Sequence, residues 1–399
     1  MDRVLNRMRA QQDEMVALLR QMVEIESPST DKQAVDRLGT FVAGHLRELV
    51  SELARAVGGS VKVHRSRTTG DHLQAEFFGS PSGRPTGRSR ANKNILLLGH
   101  MDTVWDMGTL SVMPFRVARG KAYGPGVYDM KSGIVVALFA LRHLIETGVP
   151  MPRPVTWLLN ADEEIGSPSS RSLTEATARR SIAALVLEPS YGAKGALKTS
   201  RKGTGEYRIH VQGRAAHAGL DPEKGASAIN ELSRQLIFLQ HIADTKRGIT
   251  LNPGVIVGGT RTNVVAATAE ASIDVRIRHL ADGPRVDKLL RGLRPHDRRT
   301  RLRITGGMNR PPFEVTPEGA ELFNRARDLA RPLGISLEQA AVGGGSDGNF
   351  TAALGVPTLD GLGGVGDGAH ASHEHIVISE LPRRAALLAH LLANLASED

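Results

Sequence analysis

The segment Asn94-Ile95-Leu96-Leu97-Leu98-Gly99-His100-Met101-Asp102 decides the fold. Four consecutive apolar residues suit a strand buried on both faces, and the run breaks at a glycine followed by a histidine and an acid. The same pattern recurs downstream. Val155-Thr156-Trp157-Leu158-Leu159 runs into Asn160-Ala161-Asp162-Glu163-Glu164, and Ala183–Leu187 runs into Glu188-Pro189. Residues 132–146 (SGIVVALFALRHLIE) are apolar enough for a buried helix. Three buried strands separated by helical stretches predict an α/β core. Ligands of open α/β sheets bind beyond the carboxyl ends of the strands, and each of these strands ends in ionisable residues.

Working outward, residues 13–26 place Met15, Leu18, Leu19, Met22 and Val23 on one helical face, stopped by Ser27-Pro28-Ser29. Residues 80–93 (SPSGRPTGRSRANK) read as a polar loop. The texture changes near residue 200. Gly205–Gly213 alternates like a half-exposed strand, 226–242 is an amphipathic helix, and Gly254–Val257 and Ala271–Ile277 are two further strands. This block reads as a small inserted α+β domain, giving the division 1–199, 200–311 and 312–399. From about 317 helix, glycine-rich turn and strand return.

Composition narrows the chemistry. The 399 residues are 40% hydrophobic, enough for a sizeable core, and long enough for two domains. With no cysteine, disulfides and thiolate metal sites are excluded, so any metal must be held by His, Asp and Glu. The N-terminus lacks the apolar core of a signal peptide, and no stretch has the length of a membrane span, which fits a cytoplasmic chain with no membrane partner. The net charge of +9 permits nucleic-acid binding, but the densest basic run, DRRTRLR (297–303), has no interleaved aromatics and reads as a solvated surface.

The acids and histidines form a set suited to paired cations. His100 and Asp102 share one side of an extended segment, so His100 could bind a metal while Asp102 orients its ring. Asp129, in GPGVYDMKSG (124–133), precedes an apolar helix and is also a candidate N-cap. Glu163 and Glu164 leave the backbone in different directions, so one could hold metal while the other faces substrate. Glu188 ends a buried strand. His370 and His373, in GDGAHASHE (366–374), are not separable on physical grounds.

With GHMDTV (99–104), NADEEIGS (160–167), LEPS (187–190), GRAAHAG (213–219) and GGGSDGNF (343–350), these segments make the chain resemble the di-zinc aminoacylase and carboxypeptidase G family of metallopeptidases. The resemblance implies a zinc-exopeptidase-like catalytic domain interrupted by a smaller, ferredoxin-like dimerisation domain, hence a homodimer. It implies that His100 and Glu188 bind one Zn2+, Glu164 and His370 the other, and that Asp129 bridges them. Co2+ or Mn2+ would suit the same ligands. Glu163 is then the general base, Asp102 the support of His100, and His217 the stabiliser of the oxyanion. His370 is taken over His373 because the family's terminal histidine stands four residues before a glutamate, here Glu374.

Asn263, Arg276 and Arg310 match substrate positions, and Gly344, Gly345 and Ser346 form a turn whose N–H groups suit a carboxylate. The branch most resembled is that of glutamate carboxypeptidases, which remove C-terminal glutamate from folate-like conjugates. Alternatives are an N-acyl-amino-acid deacylase or dipeptidase on the same scaffold and, outside enzymes, a carboxylate- or nucleic-acid-binding protein.

Overall fold

The computed structural model describes residues 2–54, 58–78 and 93–395. The polar loop expected over 80–93 therefore lies, apart from Lys93, outside the described residues. The chain divides into two compact units: Met1–Ser200 with Val315–Ala341 and Ser346–Asp399, and Arg201–Glu314 with Val342–Gly345. Residues 342–345 join the second unit, unlike in the division read from sequence. The Lys202 N–H donates to the Val342 carbonyl at 3.1 Å and holds that short return there.

The first unit is built on a six-stranded sheet. Its strands are β1 (Gly59–His64), β2 (His72–Phe77), β3 (Asn94–His100), β4 (Val155–Asn160), β5 (Ser181–Val186) and the short strand Thr358–Leu359. The order is β1-β2-β4-β3-β5 followed by Thr358–Leu359. β4, β3 and β5 are parallel, while the β1–β2 hairpin adds antiparallel to β4.

The unbroken apolar run of β3 has a direct cause. Ile95 and Leu97 enter the main core with helices Gln12–Glu24, Lys32–Ala54, Ser132–Thr147 and Leu381–Asn394, whereas Leu96 and Leu98 pack with Leu158, Ala184 and Val186 on the other face. Both faces are covered, so alternation disappears. Register sets the site: His100 pairs with Asn160 and Leu98 with Val186, so β3, β4 and β5 end at one edge.

The second unit is a four-stranded antiparallel sheet of β6 (Gly203–Gln212), β7 (Thr250–Gly258), β8 (Thr268–Ile277) and β9 (Arg301–Arg310), in the order β7-β8-β6-β9. Helix Ala228–Ile242 follows β6 and helix Asp282–Arg291 follows β8, which completes a β-α-β-β-α-β ferredoxin-like unit. Tyr207, Ile209 and Val211 point into its core with Ile273 and Val275. β9 takes up the last three residues of DRRTRLR: Arg301 and Arg303 are exposed, while Leu302 and Ile304 pack against the core. No helix among the described residues is long and apolar enough to cross a membrane.

Candidate metal centre

His100 is the last residue of β3 and is buried. Its Nδ1 lies 2.9 Å from the Asp102 main-chain carbonyl and 3.4 Å from the Asp102 carboxylate. Two acceptors on that side fix Nδ1 as the protonated nitrogen of the neutral ring. Nε2 then faces Glu188 Oε1 at 3.2 Å and Asp129 Oδ1 at 3.4 Å.

The Asp102 carboxylate reaches further than the ring it was expected to orient. It accepts the Ser29 hydroxyl at 2.7 Å and the N–H groups of Glu163 and Glu164 at 3.1 Å each. Burial pushes its pKa up, but these donors and His100 outweigh burial and hold it below the ordinary aspartate value. One buried carboxylate thus ties the end of β3 to the loop that carries both glutamates.

Asp129 is not a helix cap. The helix starts at Ser132, and Asp129 sits in a non-helical turn at φ −108°, ψ 95°. Gly126 makes that turn possible: its φ is +70°, and a Cβ there would stand 2.6 Å from Thr103 Cγ2. Gly133, one residue inside the helix, lets the helix start abut the end of β5, since a Cβ would lie 2.0 Å from the Leu187 carbonyl oxygen. So placed, Asp129 turns Oδ2 toward His370 Nε2 at 3.4 Å, and His370 Nε2 lies 3.2 Å from Glu164 Oε1. His370 adopts φ +61°, a conformation uncommon outside glycine.

The fit to cations rests on these contacts. His100 Nε2 and Asp129 Oδ1 are buried without a hydrogen-bond partner, an arrangement that is costly unless something else satisfies them. Ligand atoms of His100, Asp129 and Glu164 lie within 4.8 Å of one another, as do those of His100, Glu163 and Glu188. Without a cation the acids hold protons on the imidazoles. Burial lowers the His100 pKa, but Asp102, Asp129 and Glu188 raise it well above the usual value. His370 is raised to about 11, by Asp129 first and then Glu164. Glu164 is pushed up to about 7, chiefly by burial and then by Asp129.

Of the two histidines left open by sequence, His370 meets Asp129 and Glu164. His375 stacks on Tyr123 at 5.2 Å between ring centroids. The residues expected to hold substrate are spread over both units. In the second unit, exposed His217 accepts the N–H groups of Gly219 and Leu220 on Nδ1, at 3.1 and 3.0 Å, which leaves Nε2 as the protonated nitrogen. Asn263 lies beside it, its carbonyl accepting the Ala218 N–H at 3.0 Å. Arg276 is engaged by Asp274 on the same strand, with two donors at 2.8 Å.

Arg310 is buried at the end of β9, and a Cβ on Gly345 would stand 3.0 Å from its Cδ. Arg201 donates to the Gly344 and Gly345 carbonyls at 3.1 Å each. Ser346 is in the first unit: its hydroxyl donates to Asp360 at 2.6 Å and its N–H to Asn349 at 2.9 Å. It is fully buried, so its polar groups serve the fold at that turn.

Sequence reading gave Glu374 only as a spacing marker. It is completely buried, and its carboxylate accepts the N–H groups of Gly126, Tyr128 and Asp129 and the Trp105 indole N–H, at 2.8 to 3.0 Å. The signal was a carboxylate in an otherwise tightly turned glycine-rich segment.

Converging imidazoles and carboxylates at the carboxyl edge of a parallel sheet define a metal-dependent hydrolase. Residues 96–394 match the model of peptidase family M20/M25/M40, and the chain belongs to that family. It is 30% identical over 394 residues to carboxypeptidase G2 of Pseudomonas sp. (strain RS-16), covering 97% of this chain and 90% of that one. Aminopeptidase PepT of Bacillus cereus shares the fold at a TM-score of 0.73 and 20% identity, covering 96% of this chain and 98% of that one. The metallo-carboxypeptidase Sso-CP2 of Sulfolobus solfataricus does so at 0.70 and 16%, covering 96% and 99%.

Proposed function

We propose that this metallohydrolase is a two-zinc carboxypeptidase that cleaves the amide bond to a C-terminal amino acid, glutamate in the first instance, in peptides or N-acyl conjugates of the folate type. The observation that carries the reading is Asp129, whose two oxygens face His100 with Glu188 on one side and His370 with Glu164 on the other. That is the donor set of a bridged pair of cations, made only of nitrogen and carboxylate ligands. The glutamate preference draws on the 30% identity to carboxypeptidase G2 over almost the whole chain.

When bound, the cations supply Lewis acidity and bring the pKa of a water toward neutrality. The protein's own part is proton movement and positioning. Glu163, anchored through its N–H to Asp102, takes the water's proton on its carboxylate and returns it to the leaving amine nitrogen. His217 presents Nε2–H to the developing oxyanion, in keeping with the two donors that occupy its Nδ1. Asn263, Arg276, Arg310 and the 344–345 turn hold the substrate carboxylate. The chain works as a cytoplasmic homodimer through its second unit.

The test is a substrate panel with metal analysis. Benzoyl-glutamate and pteroyl-glutamate should turn over faster than N-acetyl amino acids and dipeptides, and a chelator should abolish turnover. Faster release from N-acetyl amino acids would instead make the chain an aminoacylase, and chelator-insensitive turnover would remove the metal mechanism.

A further inference from the structure

Two loops carry the ligands on the His370 side of the centre: the 124–131 turn with Asp129, and the 366–374 segment with His370. They meet through a small antiparallel sheet in which His375 pairs with Tyr123 and Gly366 with Ile376. Beyond that sheet, the Glu374 side chain joins them. Glu374 Oε1 accepts the N–H groups of Tyr128 and Asp129 at 2.9 and 3.0 Å, and Oε2 accepts those of Gly126 and the Trp105 indole at 2.9 and 2.8 Å. Neighbouring N–H groups that converge in this way form an anion nest. Here the anion comes from the chain itself. The main chain of Glu374 also closes the His370 loop, its N–H donating to the Ala371 carbonyl at 2.9 Å.

We infer that Glu374 is a positioning residue that sets the spacing of the metal centre by locking the Asp129 turn to the base of the His370 loop. The inference rests on the two-metal reading above. A helix would have paired the Asp129 N–H internally, but the turn is not helical, so its orphaned donors need an acceptor. Glu374 supplies both oxygens to them and has none left for a cation. Charge matters as well as shape. Three main-chain dipoles and an indole converge on the carboxylate. Glutamine keeps the size but puts an NH2 group against N–H donors, so one half of the nest loses its acceptor.

The experiment measures cation affinity by chelator competition in wild type, Glu374→Gln and Trp105→Phe, well below each melting temperature, with the fold checked by circular dichroism. Wild type should bind two cations per chain. Glu374→Gln should lose about 10- to 100-fold in affinity for at least one of them. Trp105→Phe, which keeps the carboxylate and removes one donor, should lose about fivefold. A residue that only stabilises the fold would lower the melting temperature and leave these affinities unchanged.

Wild-type affinities in a folded Glu374→Gln protein overturn the inference and leave the two-metal reading standing. If Glu374→Gln does not fold, Trp105→Phe decides in the same way. A wild-type protein that binds no cation removes the two-metal reading and this inference together.

Discussion

Asp129 and His370 face each other across 3.4 Å through Oδ2, while the other oxygen of Asp129 lies 3.4 Å from His100. One carboxylate therefore serves two imidazoles whose chain positions are 270 residues apart, the difference between 370 and 100. Replacing it removes both halves of the centre together. Asp129→Asn keeps the shape but halves the acceptor capacity and removes the charge. Metal content should fall from two cations to one or none per chain, and kcat by about a thousandfold or more. Retention of both cations in metal analysis of the variant would refute the bridge.

Glu163 separates chemistry from metal binding. Its carboxylate is assigned to proton transfer, so Glu163→Gln should keep both cations and KM while kcat drops about 10²- to 10⁴-fold. Steady-state kinetics beside metal analysis distinguishes this from loss of a ligand. A variant that loses metal in step with activity would move Glu163 into the ligand set, where its approach to His100 and Glu188 would allow it to sit.

Asp102 predicts a stability effect. Asp102→Ala would strand the N–H groups of Glu163 and Glu164 and the Ser29 hydroxyl in a buried region. A cost of about 3 kcal/mol follows, seen as a lower denaturation midpoint. Metal affinity should fall about 10- to 100-fold, because the His100 ring loses one of its two supports. Asp102→Asn should recover part of both, since its carbonyl oxygen still accepts.

Much of this is legible in the sequence. Buried strands announce themselves: Ile95–Leu98 has no alternation because both of its faces are covered. His100, Glu163, Glu164 and Glu188 were visible because each follows such a strand. What sequence could not yield came from long-range closure. The β1–β2 hairpin mixes Lys62, His72 and Gln74 into its strands and looks like polar loop. β9 hid inside an arginine run because Arg301 and Arg303 alternate with Leu302 and Ile304. The role of Glu374 depends on residues 245 to 269 positions away, which no local pattern encodes. The Ser346 hydroxyl finds its acceptor on Asp360, 14 positions on, a pairing that no local pattern encodes either.

The shifted groups give a pH dependence with a definite sign. In the metal-free protein His370 titrates near about 11, well above the unfolded value of about 6.5. Its stabilising charge pairing is therefore complete below about pH 6.5 and is lost as pH rises through 11. A cation needs this imidazole neutral and Glu164 ionised, with Glu164 titrating at about 7. Binding should release about one proton from these two groups near pH 8.5 and approach two below pH 6. Apparent affinity should thus rise with pH, more steeply on the acid side. Calorimetry in two buffers of different ionisation enthalpy measures the total release, to which His100, also raised well above its usual value, adds its own proton. No release at any pH would mean that the cations bind elsewhere.

The second unit carries the last prediction. β7 is an edge of its sheet, and Val255, Ile256 and Val257 are 58%, 59% and 68% exposed. An edge strand with bare apolar side chains and unpaired backbone groups is a template for another strand, and natural proteins cover or charge such edges. Here it carries no charge from Thr250 to Gly258. A second copy could pair antiparallel with it about a two-fold axis, which gives a closed dimer and covers the β7 edge of both copies. Ile229 and Ile237 of the adjoining helix are also exposed, at 42% and 61%. Ile256→Lys should convert the dimer to a monomer in sedimentation velocity while each chain keeps its metal content. A variant that stays dimeric would move the interface away from β7, and a monomeric wild type would show that the edge is left open in solution.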